Sequence, residues 1–206
     1  FNCITGVYKP TAGSVSIKKP GQNESEKISG LKPHIINRKG LARTFQNIRL
    51  FSNMSVLENV MVGRHHKLKA NIMGALLRDR KTREEEEKVV NDSYEILKKI
   101  NLHKFVNEMA RNLPYGAQRR LEIARALSTD PFLLLLDEPA AGMNPLETRE
   151  LEDTINRLRS EEKITILLIE HDMSLVMNIS EHIYVVDYGK MIAEGSPDEV
   201  KRNPDV

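Results

Sequence analysis

The sequence predicts an α/β domain: a mostly parallel sheet with helices on both faces and an inserted all-helical subdomain. Three observations carry this. From residue 113 onward, short leucine-rich or β-branched runs alternate with helical patterns, as in parallel strands covered on both faces. Between about residues 68 and 112 the strand pattern disappears. Finally, 206 residues with 40% hydrophobic and 29% charged side chains suffice for a globular core.

Taken in order, Phe1-Asn2-Cys3-Ile4-Thr5-Gly6 reads as the last turn of a helix stopped by glycine. A domain opening inside a helix is expected to be N-terminally truncated. A turn at Lys9 to Gly13 leads into the alternating strand Ser14 to Lys18, and the polar residues 20–32 read as a loop. Pro33 to Lys39 forms a short helix ended by Gly40, followed by a strand at Leu41 to Phe45. Val56, Leu57, Val60 and Met61 fall at helical spacing between Ser55 and about His66, and Asn71 to Leu77 is a small amphipathic segment. A long helix is expected to start at Thr82, capped by its hydroxyl with Glu85 reciprocating, and to bury Val89, Val90, Tyr94, Leu97 and Ile100. The charge run from Arg78 to Lys88 is its solvated face. Helices then follow at 117–128, 145–160 and 172–179, and strands at 132–136, 164–169, 182–187 and 190–194, with a short helix after Pro197. The expected organisation is a single domain over 1–206, with 1–50 and 128–206 forming the α/β core and 51–127 the helical subdomain.

Composition narrows the function classes. A net charge of +2 demands no nucleic-acid surface. The one cysteine, Cys3, forms no internal disulfide, which suits a reducing compartment. No apolar run approaches the ~20 residues of a membrane-spanning helix.

Four segments carry chemistry. Leu133-Leu134-Leu135-Leu136-Asp137-Glu138-Pro139 places two carboxylates at the C-terminal edge of a buried strand, where α/β sheets bind ligands. Asp137 suits Mg²⁺, a hard cation that takes one or two carboxylates plus phosphates, and Glu138 suits activation of a water. An acidic turn after a core strand is the plainer alternative. Leu113-Pro114-Tyr115-Gly116-Ala117-Gln118 opens into a helix whose N-terminus can meet an anion, or is simply a surface helix start. His171, after Ile166 to Glu170, can donate to a phosphate or be structural, and Gln46, after Phe45, can reach a metal or water.

In this order the four segments resemble the ABC-type ATPase family, whose fold is P-loop NTPase-like. Gln46 matches the Q-loop, Leu113 to Gln118 the signature, Asp137-Glu138 Walker B, Ala140-Ala141-Gly142-Met143-Asn144 the D-loop and His171 the switch histidine. The Tyr-Gly signature, the Pro139 to Pro145 run and Ile169-Glu170-His171-Asp172-Met173 are most similar to subunits powering bacterial branched-chain amino-acid uptake. The resemblance implies ATP and Mg²⁺ as cofactors, with Glu138 and His171 catalytic and Asp137 and Gln46 on the metal. It implies nucleotide contacts from Gln46, Tyr115, Gly116, Ala117, Gln118 and Asp137. It also implies membrane permease subunits and a second ATPase subunit as partners, no nucleic acid, and a cytoplasmic location on the inner face of the cell membrane.

The chain departs from the family pattern in three ways. The G-x-x-x-x-G-K-[ST] loop is absent, as are the strand and aromatic residue that would flank adenine. In the signature, Pro114 stands for the usual serine, Tyr115 for the first glycine and Ala117 for the glutamine. Hydrogen bonds to charged groups contribute about 1.5–3 kcal/mol each, so losing three or more removes roughly 5–9 kcal/mol. That rivals the roughly 8 kcal/mol of a micromolar affinity. These 206 residues alone are therefore expected to bind ATP negligibly. The alternative function is a non-catalytic interaction or regulatory module derived from such an ATPase; an ABC ATPase working on DNA or ribosomes is disfavoured by the near-neutral charge. Arg49-Leu50-Phe51 with Met54 either lines a groove for a membrane subunit's coupling helix or is ordinary loop packing. The pair His65-His66 has no ligand partners nearby, and adjacent helical side chains diverge.

Overall fold

The computed structural model describes residues 1–64, 80–204 and 206. In chain order the elements are strands β1 (Ser16–Ile17) and β2 (Glu26–Lys27), helix α1 (Pro33–Arg38), β3 (Leu41–Arg43) and helices α2 (Val56–Arg64) and α3 (Arg80–Lys99). Two 3-10 turns (His103–Phe105, Ala110–Asn112) lead to α4 (Tyr115–Leu127), β4 (Leu133–Asp137), α5 (Pro145–Ser160), β5 (Thr165–Ile169) and α6 (Met173–Ile179). The hairpin β6 (Ile183–Asp187) and β7 (Lys190–Gly195) and helix α7 (Pro197–Lys201) follow.

The central sheet has the order β3-β4-β5 and is wholly parallel. Leu41 to Arg43 register with Leu133 to Leu135, and Leu133 to Asp137 with Thr165 to Ile169. All three strands therefore end on the same rim. The middle strand is the most hydrophobic, and Leu134, Leu135 and Leu136 are completely buried, as a strand covered on both faces requires. The pairing of β3 with β4 also closes the chain across the helical insertion. One apolar cluster runs from Val60, Leu97 and Leu121 through Leu134 and Leu136 to Leu151 and Leu158, and a smaller one joins Ile28, Ile36 and Leu41 to Leu135. Helical insert and sheet thus share a single core.

Most expected elements appear within a residue or two of their predicted ends, because their caps are local. Asn144 accepts the amides of Leu146 and Glu147, and Glu147 returns a bond to the Asn144 amide, closing a capping box ahead of α5. Ser55 and Glu58 do the same for α2, and that bonding lowers the Glu58 carboxyl below its ordinary value. At the N-terminus, the Thr5 amide bonds Phe1 O and the Val7 amide bonds Asn2 O, both at 2.9 Å, with Gly6 at φ 74°. This is a hydrogen-bonded turn closed by a left-handed glycine, and residues 2–6 themselves are turn rather than helix.

Four expectations are corrected. Residues 20–32 are not all loop, since Glu26–Lys27 pairs antiparallel with Ser16–Ile17. Thr82 does not cap α3: the helix is already under way at Arg80, and Thr82 is buried within it. The buried stripe of α3 is Ser93, Ile96, Leu97 and Ile100, leaving Val90 exposed. Finally, β6 and β7 do not join the parallel sheet but form an antiparallel hairpin. Tyr188 and Gly189, at φ 44° and 78°, supply the tight turn that fits the strand twist. Asn71 to Leu77, His65-His66 and the start of the Arg78 charge run lie outside the described residues. Among the described residues no helix is long and apolar enough to cross a membrane.

Candidate functional site: the rim of the parallel sheet

The loops leaving the C-terminal ends of β3, β4 and β5 carry Gln46, Asp137-Glu138 and His171 to one rim. Gln46 Nε2 donates to Glu138 Oε2 at 2.8 Å, and Glu138 Oε1 lies 4.0 Å from His171 Nδ1. Glu138 sits at φ 45°, left-handed backbone that a side chain rarely adopts. Its amide first bonds Ile169 O at 2.9 Å, extending the β4–β5 ladder one step before the chain turns. The carboxylate is thereby fixed relative to the sheet. The His171 side chain is 76% exposed and accessible to an incoming ligand.

Asp137 is held differently. Its Oδ2 accepts from Arg43 Nη2 at 2.6 Å, an ion pair that is only 14% and 18% exposed. Arg43 Nη1 also donates to Asn2 Oδ1 at 2.6 Å and Thr5 Oγ1 at 3.2 Å, and its guanidinium faces the Phe1 and Phe45 rings. One arginine thus joins the N-terminal turn, the Gln46 loop and the first carboxylate. The sequence reading missed it, although its place two residues upstream of Phe45 was a usable signal.

The loops are also tied to one another. The Glu170 side chain, 1% exposed, accepts the amides of Ala140 at 2.8 Å and His171 at 3.2 Å, joining the segments after β4 and β5. Beneath the Gln46 loop, Glu122 on α4 accepts the Arg49 amide at 2.7 Å, with the Arg119 and Arg125 guanidinium groups 3.8 Å away. Burial pushes the Glu122 carboxyl up from its usual range, partly offset by the Arg49 amide and the neighbouring arginines. Arg125 donates to Arg49 O at 2.6 Å. Neither Glu122 nor Arg125 was singled out from the sequence, because an acid and an arginine one helical turn apart look like any solvated face.

The signature residues are placed at the start of α4 but not on the carboxylates. Tyr115 Oη donates to Ala141 O at 3.1 Å, and the buried Gly116 donates its amide to Glu147 Oε1 at 3.0 Å. Ala117 is buried as well, and Gln118 Nε2 bonds Leu113 O at 2.9 Å. Within one subunit these four therefore brace α4 and the loop after β4, whereas Gln46, Asp137, Glu138 and His171 share the rim.

The donor set fits a hard cation. Among the described residues no three His, Cys, Asp or Glu side chains gather to hold a metal unaided. Oxygens from one carboxylate and one amide, with phosphates and waters completing the shell, are what Mg²⁺ accepts. A cavity of about 400 Å³ opens beside the Gln46 loop, lined by Ile48, Leu50, Ser52, Ala110, Arg111 and Gln118. A larger one, about 610 Å³, lies at the opposite ends of β4 and β5, around Lys18, Gln22, Phe132 and Thr165, and is not lined by Gln46, Asp137, Glu138 or His171.

Residues 1–141 match the family model described as ABC transporter. Over the whole chain the sequence is 47% identical to the high-affinity branched-chain amino acid transport ATP-binding protein BraF of Pseudomonas aeruginosa, covering 78% of that protein. It is 46% identical to LivG of Escherichia coli, a protein of the same description, again over 78% of its length. The ADP conformation of an ATP-binding cassette of an ABC transporter superposes with a TM-score of 0.79 at 31% identity, over 97% of this chain and 76% of the other. The chain belongs to the ABC transporter family, as one of its ATP-binding, ATP-hydrolysing subunits.

Proposed function

We propose that the protein is the motor subunit of an importer for branched-chain or other hydrophobic amino acids, working on the cytoplasmic face of the membrane. The observation that carries this is the meeting of Gln46, Glu138 and His171 on one rim, in a chain nearly half identical to BraF and LivG. The substrate class rests on those relatives, whose descriptions name branched-chain amino acids.

In the proposed reaction water attacks the γ-phosphorus of ATP, ADP leaves, and inorganic phosphate forms. Glu138, held by Gln46, accepts the proton of the attacking water. His171, free to swing, donates a hydrogen bond to the γ-phosphate. Asp137 and Gln46 would hold Mg²⁺, which when bound would neutralise phosphate charge. The backbone of Tyr115, Gly116, Ala117 and Gln118 faces the nucleotide of a second subunit in a head-to-tail dimer, where the Gly116 amide must exchange Glu147 for phosphate. The cavity beside the Gln46 loop, with exposed Phe51 and Met54 at its margin, supports docking of a coupling helix from a permease subunit. The 206 residues contain no glycine-rich phosphate loop, so taken alone they bind ATP weakly; titrating labelled ATP into this polypeptide checks that, and micromolar binding contradicts it.

Replacing Glu138 by Gln in the complete gene product tests the reading. Loss of a general base lowers kcat by about 10²–10⁴-fold. Steady-state phosphate release at the wild-type rate removes Glu138 from the reaction. Uptake of labelled leucine by cells carrying the wild-type but not the Glu138→Gln protein tests the substrate class.

A further inference from the structure

Tyr115 stands where the family pattern has a glycine, yet its hydroxyl is engaged twice within the chain. It donates to Ala141 O at 3.1 Å and accepts from Arg119 Nη2 at 2.9 Å. Arg119, 5% exposed, donates through Nη1 to Phe45 O at 3.1 Å. Three hydrogen bonds in series therefore join the residue before Gln46 to the loop that follows Glu138. The far end is close to the chemistry, since the Ala141 amide bonds Glu138 O at 3.2 Å.

The packing around this path is equally specific. The Arg119 guanidinium lies 5.3 Å from the Tyr115 ring centroid. A Cβ at Gly142 (φ 78°) would stand 3.2–3.4 Å from the same ring, so the residue opposite the hydroxyl end of Tyr115 has room for glycine alone. The ring thus packs against both an arginine and a glycine. Tyr115 is 41% exposed, so the residue is not part of the buried core.

We infer that Tyr115, through Arg119, is a positioning residue for ATP hydrolysis. It fixes the loop bearing Glu138 against the loop bearing Gln46, and its hydroxyl does not contact nucleotide. This rests on the ATPase reading above. A displacement of about 1 Å in a reacting group costs up to about 10²-fold in rate, so slackening one end of such a tether is expected to show in turnover rather than in nucleotide affinity.

Tyr115→Phe in the complete gene product is the test, because phenylalanine keeps the ring against Arg119 and Gly142 and removes only the two bonds. The expected result is a kcat lower by about 5- to 20-fold with KM for ATP within about twofold. Amides of residues 138–143 should also exchange with deuterium faster in the nucleotide-free protein, a readout that needs no catalysis. A raised KM at unchanged kcat would make Tyr115 a nucleotide contact and overturn the inference. Unchanged kcat, KM and exchange, with or without a fall in Tm, overturns it too. Glu138→Gln separates the two levels: if that variant is inactive while Tyr115→Phe turns over normally, only the tether fails. If Glu138→Gln hydrolyses ATP normally, the ATPase reading fails first.

Discussion

Two parts of the same rim are built in opposite ways. Under the Gln46 loop, Glu122 and Arg119 are 3% and 5% exposed; Glu122 accepts the Arg49 amide, and Arg119 donates to Phe45 O and Tyr115 Oη. After β5, His171 is 76% exposed and its ring lies 3.9–4.0 Å from two carboxylates, beyond hydrogen-bond reach. The buried side holds its shape without ligand, because a desolvated charge cannot leave its partners cheaply. On the exposed side the histidine ring makes no such bond, and under the proposed reaction it is free to follow a phosphate. A site that must both fix a water and release a product needs one of each.

Substitutions separate the two sides. The largest effect is expected from Glu122→Ala, which leaves the Arg49 amide without its acceptor and removes the carboxylate beside the Arg119 and Arg125 guanidinium groups. Breaking such a buried set costs about 3–5 kcal/mol, measured as a lower denaturation midpoint; a loss below about 1 kcal/mol would mean that the buried side is no firmer than the exposed one. Asn144→Ala, which removes the cap of α5 and loosens Glu147 from its box, is expected to cost about 1 kcal/mol. His171→Ala should change stability by less than about 0.5 kcal/mol while lowering hydrolysis, and a larger destabilisation would show that the histidine is structural.

Glu122 also predicts a pH dependence. Its carboxyl is raised in the folded protein, so between the ordinary value of about 4.5 and that raised value the native state holds more protons than the unfolded chain. Its contribution is therefore complete below the unfolded pKa and is lost as pH rises through the folded one. Glu122→Gln should flatten this part of the stability profile, checked by chemical denaturation at a series of mildly acidic pH values.

Much of the fold was legible because it is written locally. Pro145 after Asn144, Gly40 after Lys39 and the five-residue apolar run ahead of Asp137 each specify their own element. The candidate site was legible for the same reason: Glu138 follows its strand directly, Gln46 and His171 lie in the loops just past theirs, and parallel strands deliver their ends to one rim. Where the reading failed, the decisive contact was distant. Glu26–Lys27 becomes a strand only by pairing across a ten-residue separation, and Ser93 is buried in place of Val90 because α2 and α4 pack on that face of α3. Thr82 carried a capping signature that counts only at a helix start, and the helix begins earlier.

The sequence by itself determined the class of fold, the order of the motifs and the residue types available for phosphate chemistry, since propensity, periodicity and capping act over a few neighbouring residues. Only the tertiary structure decided which polar atoms meet. That Arg43 takes Asp137, that Glu147 takes the Gly116 amide and that Arg119 links Phe45 to Tyr115 follow from packing of elements up to 94 residues apart. A hydrogen bond is satisfied or lost within a fraction of an ångström, a distance set by the close-packed core rather than by any local run of residues.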